Sequence, residues 1–289
     1  MGQTQVVLAV LYCVVIAFNV TGNSLVIHII SRKQRSATEY LLLNLAVADL
    51  TFGISCAAYI LILMFGDIDP FSGKTFMNII YITNGCLVWF SQMSSVFTMI
   101  ALSVERYFAV CRPHNFRRCF SKRNVKMVLV ASWILWLVLV VPLGIRPKET
   151  FVVYSMVIMI NGVITLLFLI VLSIKIYLSL WCKHTVIQPT ALREIEETKK
   201  KKKVTACVLG VIFTFAICYI PFLVVNILRN YALENQNLVG RLYNATALGL
   251  LINAALDPYL FSFQNSRFRV LLKKMVLCKI KTSTEETQP

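Results

Sequence analysis

Residues 94–113 read SSVFTMIALSVERYFAVCRP, the end of a charge-free run over 75–104 that stops at Glu105–Arg106–Tyr107. Thirty residues without an acid or base are more than the roughly 20 apolar residues that a helix needs to cross a bilayer. An acid–base pair at the rim of such a run sits where charge is far less costly than at its centre. The same pattern recurs along the 289-residue chain: runs 1–31, 127–145, 150–174 and 204–228 carry no Asp, Glu, Lys or Arg, and runs 40–66 and 242–266 each carry one acid, Asp49 and Asp257. Seven runs predict seven spans, and their continuous apolarity fits helices rather than the alternating strands of a barrel. Composition agrees: 58% hydrophobic and 15% charged, against about 25% charged in soluble domains.

The fold expected is therefore an all-α membrane protein, a seven-transmembrane helix bundle over 1–264. A short amphipathic helix over 265–278 on the membrane surface and a disordered cytoplasmic tail over 279–289 complete it. The amphipathic reading rests on Phe268, Leu271, Leu272, Met275 and Val276 sharing a face away from Arg267, Lys273 and Lys274. Cys278, at its end, is an S-palmitoylation candidate as well as an ordinary thiol.

Basic residues set the orientation. Of 29, the segments after spans one, three, five and seven hold 24 and the opposite side 5, which puts the N-terminus outside and the C-terminus in the cytoplasm of a multi-pass plasma-membrane protein. The net charge of +16 belongs to that inner face and its contact with anionic membrane lipids, not to nucleic acid. The Lys199–Lys203 run reads as a charged extension of the sixth helix. No outer segment carries a cysteine, so no disulfide is expected. The first run lacks the basic start and small-residue cleavage site of a signal peptide and reads as the first span.

Buried charge is the strongest sequence signal of function in a membrane bundle. Asp49 lies in NLAVADL, and Asp257 lies in NAALDPYLF with Asn253 one helical turn earlier. With Ser95 and Asn23 they suggest one mid-membrane polar cluster. It reads either as a hydrogen-bond network with one acid protonated or as a cation site, for sodium, formed by Asp49, Ser95, Asn253 and Asp257. Pro221 and Pro258 mark where helices can bend, and Phe215 and Tyr219 flank the first. His28, His114 and His184 are too scattered for a metal set, the acids have no nucleophile beside them, and no enzyme is expected. No internal repeat of the transporter kind is evident.

In order along the chain, GNSLV at Asn23, NLAVADL at Asp49, SVERY at Arg106, Trp133, CYIP at Pro221, DPYLF at Pro258 and an FR segment at Phe268 resemble a class A (rhodopsin-like) G-protein-coupled receptor. The resemblance implies a switch of Glu105, Arg106, Tyr107, Tyr177, Phe215, Tyr219, Pro221, Asp257 and Pro258 that opens the inner face to a heterotrimeric G protein. Tyr81 stands in place of the usual third-helix cysteine, Leu169 near the usual fifth-helix proline, Phe261 in place of a tyrosine, and Lys201 in place of a restraining acid. The last suggests raised basal activity. The missing cysteine and proline, Asp257 in DPYLF and the short second outer loop together resemble the melanocortin, cannabinoid, lysophospholipid and adenosine branch. Val88 where an amine-binding acid would stand argues against monoamines, and residues 242–266 lack the lysine that retinal needs. Ligand contacts are expected from Tyr59, Val88, Trp89, Gln92, Met93, Phe222 and Asn226, a set suited to a small neutral or lipid-like molecule. A ligandless, dimerising or scaffolding receptor, and less favoured an ion-linked transporter, remain the alternatives.

Overall fold

The computed structural model describes residues 3–31, 35–65, 74–145, 147–179, 192–231 and 236–264. Their secondary structure is helical: α1 (Gln3–Ser31), α2 (Ala37–Phe65), α3 (Lys74–Cys111), α4 (Pro113–Cys119), α5 (Lys122–Ile145), α6 (Pro147–Tyr177), α7 (Leu192–Tyr231) and α8 (Gln236–Gln264). Seven are long, and they correspond in order to the seven runs. Most of the helices outrun their charge-free stretches because charged turns extend beyond the hydrocarbon: α7 spans 40 residues and takes in the Lys199–Lys203 run. Six are long and apolar enough to cross a membrane by length and composition. α8 is as long as α1 but carries Asn253, Asp257 and Pro258 in its interior, a polar load that makes sense only against other helices. The 265–278 helix, Cys278, the tail, and the side chains of Tyr81, Lys201 and Phe261 lie outside the described residues.

Local chemistry fixes the ends. Ser36 Oγ accepts from the Glu39 amide at 3.2 Å and the Glu39 carboxylate accepts from the Ser36 amide at 2.7 Å, a reciprocal cap that starts α2 in a defined place. Ser121 Oγ caps α5 by accepting from the Asn124 amide at 3.2 Å. The Asn124 side chain donates back to the last carbonyls of α4, Arg118 and Cys119, at 3.1 and 3.2 Å, so one residue joins the two helices. The seven-residue α4 begins at Pro113, a residue already set for the first helical turn. It was not foreseen from the sequence.

α3 is the axial helix, touching α2, α4, α5, α6 and α7, while α1 closes the ring between α2 and α8. Leu41, Leu45, Met99, Leu102, Leu169, Phe215 and Leu251 fill the interior, and Val14, Phe18, Val130, Ile134, Ile164, Leu167, Phe213 and Ile217 point outward. Large apolar side chains on the outside are what a lipid-facing surface requires. Leu169, at the position without a proline, is fully buried in an uninterrupted α6. Cys13, Cys56, Cys86, Cys111, Cys119 and Cys218 are free thiols.

Candidate functional site

At one end of α3, Glu105 and Arg106 form a closed ion pair. Arg106 Nε lies 2.6 Å from Glu105 Oε2, and Nη2 donates to Oε1 at 3.0 Å. Thr38, on the first turn of α2, completes a ring: its hydroxyl donates to Glu105 Oε1 at 2.8 Å and accepts from Arg106 Nη2 at 3.3 Å. Glu105 is fully buried and the Arg106 side chain 15% exposed, so the paired charges are shielded and strengthened. Sequence reasoning missed Thr38. The Ser36-Ala37-Thr38-Glu39 capping pattern was its available signal, because that cap sets which α2 residue faces α3. Tyr107 meets Phe108 edge-on at 5.8 Å, and Tyr177 stands half exposed at the end of α6.

A second knot binds α2, α3 and α5. Asn44 donates to Thr98 Oγ1 at 2.8 Å and to Ser94 Oγ at 3.3 Å, while the Trp133 indole donates to Asn44 Oδ1 at 2.7 Å. Buried Asn44 and the partly buried Trp133 thus satisfy each other, which explains both residue types at a bilayer-depth contact.

The acid cluster forms around the centre. Ser95 Oγ donates to Asp49 Oδ1 at 2.9 Å, and Asp257 on α8 faces Asp49 closely enough for the two carboxyl groups to interact. Asp49, Asn253, Ser95 and Asp257 are all buried. Asp49 Oδ2, Asn253 Oδ1 and both Asp257 oxygens accept no hydrogen bond from any other group, and the two carboxyl groups can bond each other only when one carries a proton. Four buried oxygens from two helices, two of the groups acidic, are a donor set fitting a small hard cation. No trio of His, Cys, Asp or Glu suited to a transition metal occurs among the described residues.

Asn23 serves the same region differently. Its amide donates to the carbonyls of Asn19 at 3.1 Å and Ala254 at 3.2 Å. Ala254 lies four residues before Pro258, whose ring nitrogen has no hydrogen to offer it.

Toward the other end, a cavity of about 320 Å³ opens between α1, α2, α3, α7 and α8. Tyr59, Val88 and Trp89 line it, joined by Tyr12, Tyr243 and Arg229, which the sequence did not single out. Gln92, Met93, Phe222 and Asn226 are not among its lining residues: Asn226 is buried, and Met93 Sδ accepts from Asn161 at 3.5 Å. Phe222 is buried and packs on Tyr243 of the cavity wall, ring centroids 5.6 Å apart. From Phe222 the aromatic contacts continue to Tyr219 at 6.1 Å and to Phe215 at 4.8 Å. A column of rings on α7 thus runs past Pro221 from the cavity wall toward the middle of the bundle. Tyr219 rests against Gly162 of α6, where no Cβ would fit without displacing it.

Residues 22–261 match the family model of the 7 transmembrane receptor (rhodopsin family). The chain belongs to this family. Its members are receptors rather than enzymes. Among similar proteins are a tachykinin-like peptides receptor of Drosophila melanogaster, 26% identical over 96% of this chain, a somatostatin receptor type 5 of Bos taurus, 28% over 96%, and a somatostatin receptor type 2 of Mus musculus, 27% over 98%. The chain spans 60% of the length of the first and 77% and 80% of the other two. These are named for peptides and stand outside the melanocortin, cannabinoid, lysophospholipid and adenosine branch. Two of the marks that suggested that branch are losses, a cysteine and a proline, and unrelated lineages can lose the same residue.

Proposed function

We propose that this rhodopsin-family chain is a plasma-membrane receptor that passes an outer signal to a heterotrimeric G protein, with its N-terminus outside. The observation that carries the reading is the closed Glu105–Arg106–Thr38 ring at one end of α3, with a ligand-sized cavity at the other. A buried arginine held by a neighbouring acid is a two-position element, because leaving the pair exposes a guanidinium fit to meet a partner. The placement of 24 basic residues on the switch side supports the orientation.

The ligand proposed is a small lipid-like amphiphile. The cavity walls are mainly aromatic and aliphatic, and Arg229, stacked on Tyr243 at 4.5 Å, is the charged residue among them. Among the described residues no acid lines the cavity to hold an ammonium group. A screen of long-chain acids against their neutral alcohols, read as G-protein activation, should find responders that lose potency in Trp89→Ala. Response to cationic ligands alone would overturn the assignment. The likeness to receptors named for peptides supports a second reading, a peptide ligand, and a peptide panel in the same assay distinguishes the two.

The unpartnered oxygens of Asp49, Asn253 and Asp257 support a sodium ion as a proposed occupant of the central cluster. A monovalent cation would offset one carboxylate, and a proton would do the same for the other.

A further inference from the structure

The hydrogen bonds of Tyr12 and Asn23 both tie α1 to α8, and they are unequal. At the centre, Asn23 donates at 3.2 Å to the Ala254 carbonyl, which Pro258 leaves with no backbone donor, and Gly22 packs directly on Pro258. About 15 Å further along α8, the Tyr12 hydroxyl donates to the Asn244 carbonyl at 2.8 Å. Asn244 stands inside the helix Gln236–Gln264, so its carbonyl already accepts from the amide four residues on. Losing the outer tie strands no backbone group, whereas losing the inner one does. The outer tie is also within reach of a ligand. Tyr12 and Asn244 both line the cavity, Tyr59 and Tyr243 lie close enough to Tyr12 for the hydroxyl groups to interact, and Arg229 sits over the Tyr243 ring.

We propose that Tyr12 is a ligand-released latch on α8, opened by the charged head of an acidic amphiphile and left closed by a neutral one. A carboxylate is a stronger acceptor for the phenol than a backbone carbonyl, and Arg229, over Tyr243, draws that charge to this wall of the cavity. An alcohol of equal length fills the apolar walls around Trp89 and leaves the phenol on Asn244. With the latch open, the outer half of α8 pivots about the Asn23–Ala254 bond, which carries ligand occupancy to Asp257 and Pro258 in the next turn. The inference rests on the lipid-ligand reading above and adds that binding and activation are read by different residues, Trp89 and Tyr12.

Hydrogen exchange along α8, measured on the full chain in nanodiscs with palmitate and with hexadecanol, tests this. The palmitate-bound wild type should exchange over 236–247 about fivefold faster than the hexadecanol-bound form, and Tyr12→Phe should show that faster exchange with either compound. Residues 250–260 should stay protected throughout. In cells, Tyr12→Phe should raise basal G-protein activation and turn hexadecanol into an activator. Equal exchange with both compounds, an unchanged Tyr12→Phe, or equal loosening of 250–260 would overturn the latch. Trp89-dependent binding of both compounds with Tyr12→Phe without effect removes the latch alone. Binding of neither removes the lipid reading and, with it, the acid that opens the latch.

Discussion

Asn23 on α1 donates a hydrogen bond of 3.2 Å to the carbonyl of Ala254 on α8, the acceptor that Pro258 leaves without its backbone donor. In lipid no water can take that place, so a bend in one helix is tied to a side chain of another. Beside it, a Cβ on Gly22 would stand 3.2 Å from Pro258 Cγ, so the small residue next to Asn23 is what lets α1 approach closely enough to make the bond.

Asn23→Ala should therefore cost about 1–2 kcal/mol, more than an average membrane hydrogen bond, because it strands a buried carbonyl as well as losing a contact. Thermal unfolding in detergent should show a lowered midpoint, and Gly22→Val should lower it too by forcing α1 and α8 apart.

Thr38 holds both members of the Glu105–Arg106 pair. Thr38→Val removes the hydroxyl at nearly constant volume and should raise basal G-protein activation, though less than a change at Glu105. Thr38→Ser, which keeps the hydroxyl, should restore the resting level.

If sodium occupies the acid cluster, raising NaCl from low to physiological concentration should stabilise the wild type more than potassium chloride of equal strength does. Asp49→Asn and Asp257→Asn should each flatten the difference, since each removes one carboxylate. An equal response to both salts would leave protons and internal hydrogen bonds as the means of neutralisation.

Gly162→Ala places a methyl where the Tyr219 ring now lies. The ring must leave its place in the column between Phe215 and Phe222, at about 1–3 kcal/mol in stability. In a Tyr219→Ala background, which is itself destabilised, Gly162→Ala should add little further loss, and this non-additivity in unfolding midpoints is the check.

The seven long helices were legible because uninterrupted apolarity is a strong, local signal, and the order of Asn23, Asp49, Arg106, Trp133, Pro221 and Pro258 carried the family. Bonds between helices were less legible. Asn44 shares the NLAVADL motif with Asp49, yet its partners are Thr98, Ser94 and Trp133, because five residues along a helix turn a side chain well away from the first. The cavity was placed partly wrong for a similar reason: Phe222 and Asn226 occur one turn apart beside Pro221, and sequence spacing could not show that Phe222 packs inward on Tyr243. Arg229 and Tyr243, which define the cavity's chemistry, come from the ends of different helices and have no shared motif. α4 escaped because seven residues are too few for periodicity, leaving Pro113 as its one mark.

The central claim is that the Glu105–Arg106 pair is a switch. Basal G-protein activation, measured across G-protein subtypes at matched surface levels for the wild type, Glu105→Gln and Arg106→Ala, tests it most directly. The account predicts a measurable wild-type signal, a higher one in Glu105→Gln, and none in Arg106→Ala. Indistinguishable signals from all three would contradict it and reduce the pair to an anchor at the membrane edge.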